Sequence, residues 1–235
     1  MGKYIVPLAR PKPDIKRFLD AMDGRIVPPR PPLVEYLVDN SLMKPILEDM
    51  MGRKWADSAE LGDQTGGQLD FTGPAKPRMH AWLDNMIAFW LHMGYDFVRV
   101  EAALDLPASP IVAADCAPGN ADHSRAWQGL HDGPIKTRED FERYPWPEVR
   151  DSDFLVHDYI CSHLPEGMGF ISCHAGGVYE HTSRLLGYEN LCYNLVDDPG
   201  LVAAVAGKLG SLIEEYNRRL LKFDGLAAIL QGEDL

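Results

Sequence analysis

Between Met168 and Gly187 the chain reads MGFISCHAGGVYEHTSRLLG, which sets a cysteine, two histidines, a glutamate and a tyrosine around a pair of glycines. Side chains of these types can hold a metal, act as a nucleophile or move a proton. Their order suits a cavity-lining loop between a strand and a helix. MGFISCH is the strand, Gly176 and Gly177 allow a tight turn or close approach to a ligand, and Tyr179, Glu180 and His181 open the helix. Adjacent residues of an extended strand point to opposite sides, so Cys173 and His174 do not converge on one ion, and zinc held by this stretch alone is disfavoured. Cys173 reads as a small buried apolar residue, since no base is placed beside it. For His181 a surface or capping role competes evenly with ligand contact.

Carboxylates at other strand ends are the remaining candidates. Glu35 lies in LVEYLV, Glu101 closes YDFVRVE, and Glu233 with Asp234 follows GLAAILQG. Two of them have a plainer reading: Glu101 as a solvated residue paired with Arg99 or a nearby lysine, and Glu233 as a cap on the next element. His80, His92, His157 and His163 fall in or near helices, where packing explains them. His123 and His131 lie beside Trp127 in a long connection that covers the site or is merely structural.

The elements that must position these groups follow from periodicity. PDIKRFLDAMDGR predicts a peripheral helix with Ile15, Phe18, Leu19 and Met22 on one face. After the proline-rich VPPRPP comes a strand over Leu33–Leu37, and LMKPILEDMMG is the next helix. Residues 52–77 read as a connection. RMHAWLDNMIAFWLHM is a helix ended by Gly94, and a strand over Phe97–Glu101 follows. Residues 107–134 form a second connection. TREDFERYPWP starts with a capping-box pattern at Thr137 and Asp140 and is stopped by Pro145 and Pro147. DFLVHDYICSHL is helical, Gly169–Cys173 is a strand, DPGLVAAVAGKLGSLIEEYNRRLLKF is the longest helix, and Ala227–Gly232 is the last strand. Strands with continuous apolar runs, alternating with helices, specify an α/β fold with a parallel sheet and helical crossovers.

The 235 residues, 46% hydrophobic and 25% charged, suffice for a globular core and are read as a single domain over residues 1–235. A net charge of −12 without a basic block argues against nucleic acid as a partner. The apolar runs break well before the roughly 18 residues a membrane span requires, so no membrane association and a cytoplasmic location are expected. Four cysteines without C-x-x-C spacing argue against a closed structural zinc site or a disulfide framework.

In order along the chain, RFLDAMDGRIVPPRPP, GPIKTREDFERYPWP and GYENLCYNLVDDPGLVAAVAGKLGSLIEEYNRRLLKFDGLAAILQGEDL together resemble the uroporphyrinogen decarboxylase superfamily, which includes cobalamin-dependent methyltransferases. The resemblance spans about Lys16 to Leu235. It implies a parallel (β/α) TIM-type barrel, a fold of roughly 250 residues or more, of which this chain carries the first half and is incomplete at its C-terminus. In such a barrel catalytic groups project from the C-terminal strand ends. The resemblance therefore assigns Glu101, His174, Tyr179 and Glu233 to catalysis and Glu35, Gly176, Gly177 and Asp234 to substrate binding, with Glu101, His174 and Glu233 facing one cavity.

True uroporphyrinogen decarboxylases carry R-Q-A-G-R-Y after the first strand and an aspartate after the second. Here the first region reads PPLVEYLVDNSLMK, with no arginine pair, and a gapless match of the second puts Ala102 at the aspartate. These departures favour the methyltransferase branch, which implies a small-molecule substrate, a corrinoid on a partner protein, and zinc whose H-x-C and distant cysteine ligands belong to strands beyond Leu235. Decarboxylation in porphyrin synthesis stays open as an alternative. So does a non-catalytic binding protein, associating as a homo-oligomer through an open sheet edge.

Overall fold

A computed structural model of the chain describes residues 5–35, 38–56, 76–102, 104–108, 111–114, 124–127, 132–174 and 176–233. Its centre is a three-stranded sheet of β1 (Phe97–Ala102), β4 (Gly169–His174) and β5 (Leu226–Gln231), in the order β1-β4-β5 with both pairs parallel. Three of the four expected strands are present to within a residue at each end. The connection after β1 contains a further pair, β2 (Ile111–Ala114) and β3 (Ser124–Trp127), antiparallel to each other. Periodicity over four residues is too short to reveal them.

The strand expected over Leu33–Leu37 is not formed at residues 33–35, while Tyr36 and Leu37 lie outside the described residues. Pro28, Pro29, Pro31 and Pro32 precede it, and prolines offer no N–H to a ladder. Leu33 instead lies against Gly94 at the opposite end of β1 from Glu101.

The helices are set by local chemistry. Helix α1 (Ile15–Met22) begins where the Asp14 side chain accepts from the Arg17 amide at 2.9 Å. Of its expected apolar face Phe18 is buried, whereas Met22 is 53% exposed, because only the first two turns meet the sheet. Helix α2 (Asn40–Pro45) passes into a π-helical turn over Ile46–Met50, and α3 (Lys76–Met93) ends at Gly94, whose φ of 93° is a left-handed stop. Helix α4 (Arg138–Arg143) has the expected capping box, with Thr137 and Asp140 each accepting from the other's backbone N–H. After a 3-10 turn at 151–154 come α5 (Leu155–His163), α6 (Val178–Leu186), α7 (Tyr188–Asp197) and α8 (Pro199–Leu220). Asp198 caps α8 at the Leu201 amide, and Pro199 sits at its first position.

The sheet separates two environments. Val98, Val100 and Phe170 pack on α3 and α5, and beyond them a second cluster joins α6, α7 and α8. On the other face Phe97, Ile171 and Cys173 pack with Phe18 of α1, and Ala228 and Leu230 border them. Helix α1 is tied to the N-terminal strand ends: the Asp14 amide donates to Asp96 Oδ1 at 2.7 Å, and the Ile15 amide to the Gly167 carbonyl at 2.9 Å. Among the described residues no helix is long and apolar enough to cross a membrane.

Candidate functional site

At the C-terminal end of the sheet, the α1-facing side carries a charged relay. In the β1–β4 register Glu101 stands opposite Cys173. Arg99, two residues earlier on β1 and therefore on the same face, donates from its Nη2 to Glu101 Oε2 at 2.9 Å and from Nε to Cys173 Sγ at 3.1 Å. The guanidinium is buried while the Glu101 carboxylate is 39% exposed, so the acid presents one side to solvent and anchors the other. Burial pushes the Cys173 thiol above its ordinary pKa, and the nearby Arg99 charge only partly opposes this. Cys173 is thus a thiol that fills space and accepts a hydrogen bond, not a thiolate nucleophile.

His174 faces the other way. Its ring meets Tyr216 of α8 edge-on at 5.0 Å, on the side where Ser172 Oγ lies 3.0 Å from Nε2 of His157. Burial holds the His174 imidazole below its usual pKa, offset in part by the Asn217 side chain. The expectation that Glu101 and His174 share a cavity is therefore corrected. Ala102, not Glu101, is the register partner of His174, and strand alternation sends the two functional groups to opposite faces.

Glu233 follows β5 and reaches the start of α6, where its carboxylate accepts from the amides of Tyr179 at 3.1 Å and Glu180 at 3.0 Å. These are first-turn amides with no partner inside the helix, and a negative charge there also meets the positive end of the helix dipole. Gly177 is small because this carboxylate occupies the space a side chain would need. Gly176, with φ of 99°, takes a conformation open to glycine, and its carbonyl accepts from Gln231 Nε2 at 2.6 Å. The turn expected from the paired glycines is present, and its immediate ligand is the chain's own Glu233.

Of the remaining sequence candidates, Glu35 and Tyr179 stand apart from Glu101. Glu35 is exposed near the N-terminal end of β1, where its charge helps raise the Tyr95 phenol after burial has done most of it. Tyr179 is 42% exposed, and its phenol is close enough to Tyr188 of α7 to raise that residue's pKa. Asp234 lies outside the described residues. The plainer reading of Glu101, a carboxylate paired with Arg99, is the pair found here. Ser172, Tyr216 and Asn217 carry no signal in the sequence that sets them apart from ordinary strand and helix residues.

Among the described residues no group of three or more His, Cys, Asp or Glu side chains is placed to hold a metal ion. Cys173 and His174, the adjacent pair of metal-binding type, do not fit zinc: one accepts from Arg99 and the other points to the opposite side of the strand. Comparison of the chain with protein-family models, with curated proteins and with solved structures finds no match.

Proposed function

We propose that this chain builds part of a parallel (β/α) barrel of the uroporphyrinogen decarboxylase superfamily type, and that the C-terminal end of its sheet serves corrinoid-linked methyl transfer to or from a small molecule. The observation that carries this reading is the placement of Glu101. Three strands run in one direction, α1 closes their N-terminal ends, and at the other end a half-exposed carboxylate stands on the face that α1 covers. Parallel α/β sheets bind their ligands at the carboxyl ends of the strands.

Decarboxylation of a porphyrinogen fits less well. A substrate with many carboxylates needs free cations, and Arg99, on the sheet itself, is already engaged by Glu101. In the methyl-transfer reading Glu101 orients a polar acceptor or takes its proton, with Arg99 fixing the rotamer, while Gly177 and Glu233 shape the turn beside the strand ends. A methyl-corrinoid on a partner protein supplies the carbon–cobalt bond that breaks. Zinc, if used, draws its ligands from outside the described residues.

The test is anaerobic incubation of the protein with methylcobalamin and a thiol acceptor, with Glu101→Gln in parallel. Loss of the methyl–cobalt spectrum together with a methylated thiol, diminished by the substitution, supports the proposal. Coproporphyrinogen formed from uroporphyrinogen would replace it with decarboxylation.

One observation favours a second, non-enzymatic reading. Strand β5 is apolar from Leu226 to Leu230, the pattern of a strand covered on both faces, yet each of these residues is only partly buried and β5 is a sheet edge. A protein that associates through this edge and catalyses neither reaction would show assembly by light scattering with both activity assays silent.

A further inference from the structure

Away from the Glu101 face, three histidines from three elements are buried together. His157 of α5, His174 of β4 and His181 of α6 are each no more than 5% exposed. His157 and His174 both lie against Tyr216, with ring centroids 6.0 and 5.0 Å away, and Phe154, Phe170 and Phe223 pack around His157. His157 uses Nε2 on Ser172, but its Nδ1 and the Nε2 of His174 are buried with no hydrogen-bond partner among the described residues. A buried imidazole in this position accepts a proton only at the cost of leaving a charge in an apolar layer.

Of the groups facing this layer only the Asn217 side chain, beside His174, offsets part of that cost. His157 faces neutral Ser172 and Tyr216 and feels His174. His174 faces Tyr216 and the Asn217 amide. His181 feels Arg184 and His174, both unfavourable to a second charge. Asp153 acts on Tyr216 from the 3-10 turn, and Glu180 lies with His181 along the border of Gly176. Burial, first in effect, sets the His157 and His181 pKa values at about 4. His174 stands between the other two in influence, so protonating one imidazole opposes protonating the next, and the strain is relieved together by opening the layer.

We propose that the His157–His174–His181 layer is an acid-sensitive lock that holds α6 on the sheet while its imidazoles are neutral and releases α6 when they are protonated. Helix α6 is the element that gives way because it enters through the Gly176–Gly177 turn, is held at its start by the Glu233 carboxylate and brings His181 into the layer. Release would free the Glu233-held turn beside the strand ends. The lock does not depend on which reaction, if any, occurs at Glu101.

The experiment is hydrogen exchange of the intact chain, read peptide by peptide from pH 7.5 to pH 4 with rates corrected for intrinsic exchange. Peptides over residues 176–186 should lose protection below pH 6.5 while those over α3 and β1 keep theirs. Retention of α6 protection until the whole chain unfolds would overturn the proposal. His174→Gln, which keeps polarity without a titrating ring, should shift α6 release down by about half a pH unit or more. Release that follows Glu233→Gln and ignores His174→Gln would assign the effect to the carboxylate and overturn the lock. Should His174→Gln fail to fold, ring-proton titration of the wild-type histidines decides. Rings that take up protons in step with the loss of α6 protection sustain the proposal, and rings that titrate while α6 stays protected end it.

Discussion

Glu233 and Gly177 share one space: the carboxylate that caps α6 lies where a side chain at Gly177 would have to go. Gly177 has φ −110° and ψ −156°, an extended backbone that alanine adopts freely, so the glycine is required by the carboxylate and not by the turn. Gly177→Ala should therefore cost about 1 kcal/mol, because the Glu233 side chain is pushed off the helix start and its cap is lost, and Glu233→Ala about the same. The double variant should cost clearly less than the sum, since removing the carboxylate removes the clash. Additive losses in urea unfolding would show that the two residues do not compete.

Arg99 and Glu101 form a pair of unequal burial, which makes the order of two substitutions predictable. Glu101→Gln weakens the pairing of a buried guanidinium that stays in place, whereas Arg99→Met removes the buried charge and puts an apolar side chain on the face of Phe97, Ile171 and Leu230. We expect Glu101→Gln to destabilise by about 1–2 kcal/mol and Arg99→Met by less. Chemical denaturation that ranks them the other way would mean that Arg99 is held mainly by contacts other than Glu101.

The parts of this architecture visible in the sequence are those where local pattern and tertiary environment agree. FVRVEA, GFISCH and LAAILQ carry apolar runs bounded by turns, and each is a strand. Thr137 with Asp140 and Asp198 with Pro199 start helices by chemistry confined to four residues. LVEYLV has equal strand character but follows four prolines and forms no strand at residues 33–35. The site was harder to read because its geometry depends on register. That Cys173 and His174 diverge follows from strand alternation alone. That Cys173 stands opposite Glu101, leaving His174 to the helices, depends on how β1 and β4 align, and continuous apolar strands leave that alignment weakly specified. Glu233 was visible as a strand-end acid, but its contact with α6 joins residues more than fifty positions apart.

Cysteine reactivity offers a check on burial. Cys192 is exposed on α7, whereas Cys173 is buried and Cys161 has its thiol pushed up to about 11, mainly by burial. A brief exposure to iodoacetamide at pH 8 should label Cys192 ahead of Cys161 and Cys173, which stay unmodified until the chain is denatured. Mass spectrometry of the digested protein reads the order directly, and early labelling of Cys173 would contradict its place opposite Glu101.

Gly169 governs how α1 meets the sheet. It opens β4, its amide donates to the Asp96 carbonyl at 3.1 Å, and a Cβ there would overlap Ile15 of α1 and crowd Ala227 of β5. Two further ties hold α1 in the same place: the Asp14 amide on Asp96, and Arg17 within 3.6 Å of that carboxylate. The ion pair is half in solvent and contributes little by itself, so packing of Ile15 and Phe18 on Phe97 and Ile171 must do most of the anchoring. Gly169→Ala should then lift α1 while leaving the strands paired, at a cost of about 1–3 kcal/mol. Limited trypsin digestion should cut after Lys16 or Arg17 markedly faster than in the wild type, and Ile15→Ala in the Gly169→Ala background should recover part of the lost stability by making room. If cleavage at those sites is unchanged and the second substitution only adds to the loss, α1 is not seated on Gly169 and the closure of the N-terminal strand ends has to be assigned elsewhere.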